Sequence, residues 1–253
     1  MRGTPFGVYF SRPQLSMRRL VRFTCDDVRP GRAEVLRRMQ MPEDTPVSAR
    51  LEALEGAAAT AFEKLARPVG VFEAVSAEEF LRLYADARGS AGDTPLHHVV
   101  PRAGALALFA ATLGAGVDAE IRQRFRAGDA PSGWALDAFA SAAAERVADR
   151  LGECYRLALG DTGPAPGLRV LPYSPGYCGW DVSGQAALFR ALVPIEIGIT
   201  LSARCLMQPI KSVSGVLVAG SPDTHTFRPT FDFCEPCLTK DCCRRMASVR
   251  RQG

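Results

Sequence analysis

The chain has 253 residues, of which 47% are hydrophobic, and it carries a formal net charge of +4 at pH 7. This length and composition predict a folded globular protein with one large domain or two small ones. The positive charge is mild and comes with no recognisable nucleic-acid-binding module, and no stretch approaches the roughly 20 apolar residues of a membrane span. We therefore expect no nucleic-acid or membrane partner.

The N-terminal segment is basic, but it lacks the uninterrupted apolar run of a secretory signal peptide. Pro5 and Pro13 interrupt it, and regular sequence begins only after Met17. We therefore expect a cytoplasmic protein. Cysteines stay reduced in that compartment, which favours metal ligation over disulfide formation.

The first helix that the apolar period predicts begins near Thr45. A capping-box pattern from Ser76 to Glu79 predicts the start of another helix, because its side chains satisfy exposed backbone amides. The segment 105–113 is apolar almost throughout and has the length of a buried strand. A long amphipathic pattern from about Ser132 to Leu159 completes a largely helical N-terminal part.

The segment 160–167 marks an internal boundary, because its glycines and prolines cannot continue a helix. Beyond it the apolar residues of 195–201 alternate, as they do on a half-buried strand. The segments 212–219 and 227–233 predict two more strands. Helices before the boundary and strands after it predict an α+β fold, with a helical N-terminal part packed on a mainly antiparallel twisted sheet.

Half of the eight cysteines lie within ten residues near the C-terminus: Cys234, Cys237, Cys242 and Cys243. Thiolates favour zinc, copper(I) or iron–sulfur clusters, and the Cys-x2-Cys spacing lets two sulfurs reach one centre. Neighbouring cysteines rarely aim both side chains at one ion, so a ligand from elsewhere is needed, and Cys178 is the best distant candidate. An iron–sulfur centre, structural zinc and unligated redox thiols all remain open.

Two other groups suggest chemistry but have simpler explanations. His97 and His98 are adjacent, so their side chains point in different directions, and we expect a structural or surface role. Cys25, Cys154 and Cys205 have no partners near them in the sequence, so we expect them to be packing residues.

Five short motifs follow one another after Tyr173. They are Ser174-Pro-Gly-Tyr-Cys-Gly-Trp180, Leu188-Phe-Arg-Ala-Leu192, Ile197-Gly-Ile-Thr-Leu201, Met207-x-Pro209 and Ser212-Val-Ser-Gly215. In order and spacing they resemble the activation domain of cobalamin-dependent methionine synthase. Upstream, 108–114 and 137–145 resemble the short, free-standing relatives of that domain, which also tend to end in a cysteine cluster. The resemblance covers roughly residues 35–245 and implies the same α+β fold.

The resemblance divides the chain into three segments. Residues 1–34 form a basic N-terminal extension, and residues 35–233 form the activation-domain-like α+β domain with its internal boundary near 160–167. Residues 234–253 contain the cysteine cluster and a basic tail.

The resemblance implies a site for S-adenosylmethionine. Carried over residue by residue, the family's acidic contact falls on Asp149 and its tyrosine on Tyr177. The backbone contact falls on Ser174, two residues before Gly176. These types suit the ligand, because a sulfonium and an amino group attract a carboxylate, and an adenine ring can lie against an aromatic ring.

One family residue is replaced. Pro172 stands where the family has an arginine for the carboxylate of the ligand, and Arg169 is the nearest residue that can substitute for it. The carboxylate contact of the implied site therefore falls on Arg169.

The resemblance further implies a stand-alone protein acting in trans on the cobalamin of a corrinoid-binding protein or methyltransferase. It would be an accessory component that supports reductive reactivation and remethylation of cobalamin, or methionine synthesis. An iron–sulfur cluster can supply the electron, whereas zinc cannot. The alternative is a non-catalytic subunit that binds the corrinoid protein and holds a structural zinc. A third hypothesis is an unrelated metal-dependent regulator that uses the arginine-rich tail.

Overall fold

The computed structural model describes residues 17–42, 44–46, 48–87, 89–160, 167–227 and 231–235. The strands of these residues are β1 (Arg18–Arg22), β2 (Val69–Val75), β3 (Ala105–Thr112), β4 (Arg169–Tyr173), β5 (Thr200–Leu201), β6 (Met207–Gln208) and β7 (Ser212–Gly220). Their α-helices are α1 (Arg32–Arg38), α2 (Ala49–Leu65), α3 (Ala77–Ala85), α4 (Pro95–Val99), α5 (Ala115–Arg126), α6 (Ala130–Gly160) and α7 (Gly184–Leu192). Short 3-10 helices lie at Asp26–Val28, Val100–Arg102, Pro194–Ile197, Pro222–His225 and Asp232–Cys234.

An antiparallel sheet with the strand order β1-β2-β3-β7-β4 forms the centre of the molecule, and β5 pairs with β6 in a separate hairpin. The prediction of an α+β fold with a mainly antiparallel sheet is confirmed. The predicted division into helices before the 160–167 boundary and strands after it is wrong, because β1, β2 and β3 precede that boundary. Strands β4 and β7, from beyond it, complete the same sheet.

Helices cover both faces of the sheet. On β3, Phe109 and Ala111 point to one face while Leu108 and Ala110 point to the other, and all four are buried. Helices α1, α2, α5 and α6 cover the first face, called here the α6 face. Helices α3, α4 and α7 cover the second, called here the α7 face. The core therefore consists of two apolar layers separated by the sheet.

Helix α6 has 31 residues and confirms the long helix that the sequence predicts. Its residues Leu151 and Tyr155 have fully buried side chains. Gly152 faces the sheet, where a Cβ atom would lie 3.5 Å from Val170 Cγ1, an ordinary van der Waals distance. Neither α6 nor any other described helix is long and apolar enough to cross a membrane.

The edge strand β1 lies within the segment 1–34. It pairs with β2, and the Arg18 guanidinium forms ion pairs with Glu73 and Glu196. It also donates to the Leu192 carbonyl oxygen at 2.9 Å. Residues 18–22 therefore belong to the sheet, and the boundary at residue 34 stays a prediction.

Two predicted strands differ in the structure. In the segment 195–201, a 3-10 helix and a turn at Gly198, with φ of 77°, precede the two-residue β5. Ile197 and Ile199 are buried there while Ile195 is exposed, so the alternation reflects this turn and not an extended chain. In the segment 227–233, the 3-10 helix Asp232–Cys234 replaces the predicted strand, and residues 228–230 lie outside the described residues.

Candidate functional site

A tight turn at the end of β4 contains most of the predicted ligand contacts. The Gly176 N–H donates to the carbonyl oxygen of Trp180 at 2.7 Å, and the Trp180 N–H donates to that of Tyr177 at 3.0 Å. Gly176, Cys178 and Gly179 have φ values of 88°, 53° and 75°. Two of these left-handed positions are glycines, which adopt this conformation without a steric cost.

Trp180 anchors the turn in the core. Its side chain is only 2% exposed and lies edge-on to Phe80, with ring centroids 5.6 Å apart, and against Tyr84 at 5.5 Å. The sequence leaves its role open between covering a ligand and packing. The structure places it as a packing residue of the α7 face.

Hydrogen bonds from a loop after α3 hold the far side of the turn. The Ala91 N–H donates to the Gly179 carbonyl oxygen at 2.9 Å, and the Asp181 N–H donates to Ser90 Oγ at 3.1 Å. Asp181 Oδ1 in turn accepts from the Ser183 N–H at 2.8 Å. Hydrogen bonds from the side chain and the backbone of Ser183 lower the pKa of the Asp181 carboxyl group. The turn is thus fixed to α3 on one side and to the start of α7 on the other.

Strand β7 supports the turn from below. A Cβ atom at Gly215 would overlap the carbonyl oxygen of Tyr173 and lie 3.0 Å from Ser174 Cα. Only glycine permits so close an approach of two backbones. This contact fixes the distance between β7 and the backbone at Ser174, where the chain leaves β4.

The outer side of the turn is open as far as the described residues go. Apart from its neighbours in the chain, none of these residues has an atom within 4 Å of where a Cβ of Gly176 would be, and the Tyr177 side chain is 49% exposed. Ser174 is half-buried beside them. In the described part of the chain the turn therefore presents an aromatic ring and the exposed backbone of Gly176 on a fixed support. An aromatic ring can contact a flat ring, and backbone groups can form hydrogen bonds to its polar edge.

The structure brings Ser174, Gly176 and Tyr177 together but places the other two predicted contacts elsewhere. Asp149 is exposed on α6, whereas Trp180 and the turn belong to the opposite face of the sheet. Arg169 begins β4 and lies about 16 Å along the strand from Ser174, since each strand residue advances about 3.3 Å. The roles of all five residues in ligand binding stay predictions.

Sequence reasoning missed the residues that hold the turn. His225 ends the 3-10 helix Pro222–His225 after β7 and is 1% exposed. Its Nδ1 lies 3.2 Å from Tyr173 Oη, and its Nε2 lies 3.4 Å from the Arg169 carbonyl oxygen, so it supports both ends of β4. Tyr84 and Ser90 also hold the turn, through contacts with Trp180 and Asp181. In the sequence, only the aromatic character of Tyr84 and the small polar side chain of Ser90 are compatible with this role.

His97 and His98 have the structural role that the sequence suggests. His97 Nδ1 accepts from the Thr94 N–H at 3.1 Å and so caps α4, and its ring lies edge-on to Tyr84 at 5.3 Å. His98 Nε2 lies 2.8 Å from Asp93 Oδ1.

The isolated cysteines behave as packing residues where the structure resolves their surroundings. Cys25 and Cys154 pack against the core of the α6 face, and burial raises the pKa of both thiols. Cys205 lies half-buried in the loop between β5 and β6 with φ of 57°.

One end of the predicted metal site lies against the turn. Cys178 is half-buried in the turn, and Cys234 is half-buried at the end of the 3-10 helix Asp232–Cys234. The residues next to them touch, because a Cβ atom at Gly179 would lie 2.6 Å from the ring of Phe233. Cys237, Cys242 and Cys243 lie outside the described residues, and within those residues no group of three or more His, Cys, Asp or Glu side chains can hold a metal ion.

No protein-family model and no curated protein sequence matches this chain. A solved structure does: it is described as the crystal structure of the MetH reactivation domain bound to AdoHcy, with a TM-score of 0.59. The match covers 98% of this chain and 93% of that one, at 16% sequence identity. The fold is similar to that of the MetH reactivation domain. At this identity the likeness establishes the fold alone.

Proposed function

We propose that this chain binds an adenosyl ligand of the S-adenosylmethionine class at the turn after β4. The similarity of the whole fold to a reactivation domain crystallised with AdoHcy carries the proposal. The turn adds local support, because its Ser174-Pro-Gly-Tyr sequence resembles the family motif and its outer side is open. Tyr177 would lie against the adenine ring, and the backbone of residues 174–176 would receive the polar edge of the ligand.

The carboxylate and the positive groups of such a ligand need charged partners. Arg169 is the cation nearest in sequence, and its side chain would have to extend along β4 towards the turn. Asp149 would attract the sulfonium and amino group only if the ligand reached the α6 face. We assign the carboxylate contact to Arg169 and retain Asp149 as the second, separable contact.

Calorimetry with AdoHcy tests the ligand site. Tyr177→Ala should raise the Kd several-fold, because contacts between flat rings contribute about 0.5–1.5 kcal/mol. The matched control is Phe125→Ala, which removes an aromatic ring of similar exposure, 47%, from α5 and should leave the Kd unchanged. Absence of both binding heat and thermal stabilisation of the wild type at saturating AdoHcy contradicts the proposal.

The cobalamin on which this chain acts would belong to a separate protein. We propose an accessory role in which the chain presents a methyl donor to the cobalamin of a corrinoid-binding protein or methyltransferase. The methyl group would come from S-adenosylmethionine, which leaves as AdoHcy, and one electron from a reductant would return the cobalt to the state that accepts the methyl group. The test is reduction and remethylation of a corrinoid protein with and without this chain, followed by absorption spectroscopy.

We propose that the C-terminal cysteines and Cys178 hold one metal centre beside the turn. The contact of Phe233 with Gly179 supports this, because it brings the chain entering the cysteine cluster to the residue after Cys178. An iron–sulfur centre at this place would be near enough to the bound ligand to serve the reductive step. A zinc ion would instead fix the C-terminal segment, which favours the non-catalytic corrinoid-binding subunit.

A pair of glycine substitutions tests the metal centre. Gly176→Ala and Gly179→Ala both place a side chain at a positive φ, but only the second displaces the Phe233 ring. In protein purified without oxygen, Gly179→Ala should therefore lower the metal content per chain more than Gly176→Ala does. Iron with sulfide supports the electron-transfer role, zinc supports the structural role, and a metal-free wild type contradicts both.

A further inference from the structure

A cleft lies between helix α5 and the segment that leads from β6 into β7. Its volume is about 460 Å³, within the range of roughly 300–1,000 Å³ that is usual for ligand pockets. The spacing of Ala115, Asp118 and Arg122 puts them on one face of α5, and they form one wall. The other wall includes Gln208, Pro209 and Ile210. This space is called here the α5 cleft.

The α5 cleft is separate from the candidate ligand turn. Its lining residues come from α5 and from the segment 198–210, whereas the turn is formed by residues 174–180. A ligand in the α5 cleft would therefore have different contacts from a ligand at the turn.

The carboxylate of Asp118 connects the two walls. Asp118 is only 4% exposed, and its Oδ2 accepts from the Ile210 N–H while its Oδ1 accepts from the Lys211 N–H at 3.3 Å. A carboxylate has about four acceptor positions, so further positions remain for a ligand. The fold thus fixes the α5 cleft through a residue that also lines it.

No cation among the described residues neutralises Asp118. The ammonium group of Lys211 contacts α6 instead, where Nζ lies 2.8 Å from Asp137 Oδ1 and 2.8 Å from Ser141 Oγ. Arg122 stands four residues after Asp118, which is the spacing of a helical ion pair, yet the described residues contain no ion pair between the two. Asp118 therefore brings a negative charge to the α5 cleft.

Arg122 brings a positive charge to the same space. Its side chain is exposed, lines the α5 cleft and has no carboxylate partner in the part of the chain that the structure describes. A guanidinium group can hold a carboxylate through two parallel hydrogen bonds. Because four residues of a helix rise about 6 Å, the two opposite charges lie about one helical turn apart along the wall.

Apolar groups lie beside these charges. Ala115, Pro209 and Ile210 line the α5 cleft, and Ile210 is 65% exposed. The N–H of Ile210 is bound by Asp118, so its exposed side chain is held at the edge of the α5 cleft. An apolar group that covers this side chain removes it from water, which favours binding.

We infer that the α5 cleft binds a free α-amino acid with an apolar side chain. The ammonium group of the ligand lies against Asp118, its carboxylate against Arg122, and its side chain covers Ile210. A phosphate or a dicarboxylate would place surplus negative charge beside the buried carboxylate of Asp118, where screening is weak. The inference does not rest on the proposed function, because it uses no residue that is assigned to the adenosyl ligand.

Calorimetry with L-leucine and two of its fragments tests the site. Isocaproate is leucine without its amino group, and isoamylamine is leucine without its carboxylate. The wild type should bind L-leucine, and each fragment should bind at least about tenfold more weakly, because each lacks one charge-assisted contact.

Two arginine variants on the same helix locate the binding. Arg122→Gln should raise the Kd for L-leucine about tenfold or more, because it removes the guanidinium that holds the carboxylate. Arg126→Gln is the matched control, since Arg126 is also exposed on α5 but does not line the α5 cleft. It should change the Kd by less than about twofold, as expected for an exposed charge away from the ligand.

Four results overturn the inference. The first is a wild type that gives no heat with millimolar L-leucine, L-valine or L-phenylalanine. The second is a fragment that binds as tightly as L-leucine, which would indicate a site for simple anions or amines. The third is an equal effect of the two arginine variants. The fourth is an equal loss of AdoHcy and L-leucine binding in Arg122→Gln, which would join the α5 cleft to the adenosyl site.

AdoHcy binding is therefore measured on Arg122→Gln as well. Its Kd for AdoHcy should equal that of the wild type, because the turn after β4 contributes no residue to the α5 cleft. Failure of the ligand site at the turn and failure of the α5 cleft are thus distinguishable.

Discussion

Tyr155 shows how a single buried group responds to its surroundings. The side chain is fully buried on the α6 face, with its ring edge-on to Phe72 at 5.3 Å. Its hydroxyl group has no hydrogen-bond partner in the part of the chain that the structure describes. Burial raises the pKa of the phenol well above its ordinary value of 10. The folded state therefore favours the neutral form strongly.

Tyr155→Phe should leave the free energy of unfolding at neutral pH unchanged or raise it by up to about 1 kcal/mol, because it removes an unsatisfied polar group. A raised folded pKa gives stability that is present below pH 10 and is lost as the pH rises above it, where the unfolded chain ionises. The advantage of the variant should thus grow above pH 10. Urea unfolding at neutral pH and just above pH 10 measures it.

Tyr177→Phe is the control for this experiment, because it removes the same hydroxyl group from an exposed tyrosine. If Tyr155→Phe destabilises the protein at neutral pH by more than about 1 kcal/mol, the hydroxyl group has a partner such as a buried water.

At the scale of single elements, the contact between β4 and β7 sets the geometry of the candidate site. The register pairs Tyr173 with Val216, and the preceding residue, Gly215, lies against the Tyr173 carbonyl oxygen. The motif Ser212-Val-Ser-Gly215 thus has a physical reason: the glycine allows the turn to leave β4 close to β7.

Gly215→Ala should destabilise the protein by about 1–3 kcal/mol or more, because its Cβ atom would overlap a backbone oxygen that cannot move freely. Gly56→Ala is the matched control. Gly56 lies inside α2, and no described residue outside the adjacent helix backbone has an atom within 4 Å of its would-be Cβ, so alanine there should stabilise by about 0.5–1 kcal/mol. Thermal unfolding of both variants checks the prediction, and similar midpoints for the two would contradict it.

Several elements could be predicted from the sequence because their signals are local. The apolar stripe of α6 and the apolar run of β3 depend only on residue spacing, and both elements are present within one or two residues of the expected positions. Helix α1 was missed, since its 7 residues are too few for a clear period. The alternation in 195–201 predicts a strand wrongly, because a 3-10 helix followed by a turn also buries two isoleucines two residues apart, Ile197 and Ile199, while Ile195 is exposed.

Some residues of the candidate site could be predicted from the sequence, whereas the positions of others depend on the tertiary structure. Ser174, Gly176 and Tyr177 are adjacent in sequence, so one motif identified them together. Asp149 and Arg169 were assigned through a family resemblance, and their positions relative to the turn depend on how α6 and β4 pack. No local pattern contains that information.

At the scale of the whole molecule, the sheet joins both sides of the internal boundary. Strand β7, from after residue 167, lies between β3 and β4, and β3 comes from before residue 160. Both halves also contribute side chains to each core layer. Neither half therefore buries its apolar surface without the other.

Cleavage at a protease site inserted into the 160–167 boundary should leave the two fragments associated. They should elute together in size-exclusion chromatography under native conditions and separate in denaturant, because the β3–β7 pairing and both apolar layers join the two fragments. An uncleaved sample of the same variant is the control. Fragments that separate without denaturant would indicate two independent folding units.

The sequence by itself determined the local elements, the turn at Ser174–Trp180 and the cysteine spacing, because each depends on residues that are close along the chain. Only the tertiary structure decided the strand order, the burial of Trp180 and His225, and the contact of Phe233 with Gly179. It also decided which apolar side chains between β4 and β7 are exposed. These features join residues far apart in sequence, and the packing free energy of whole layers, not any local pattern, selects them.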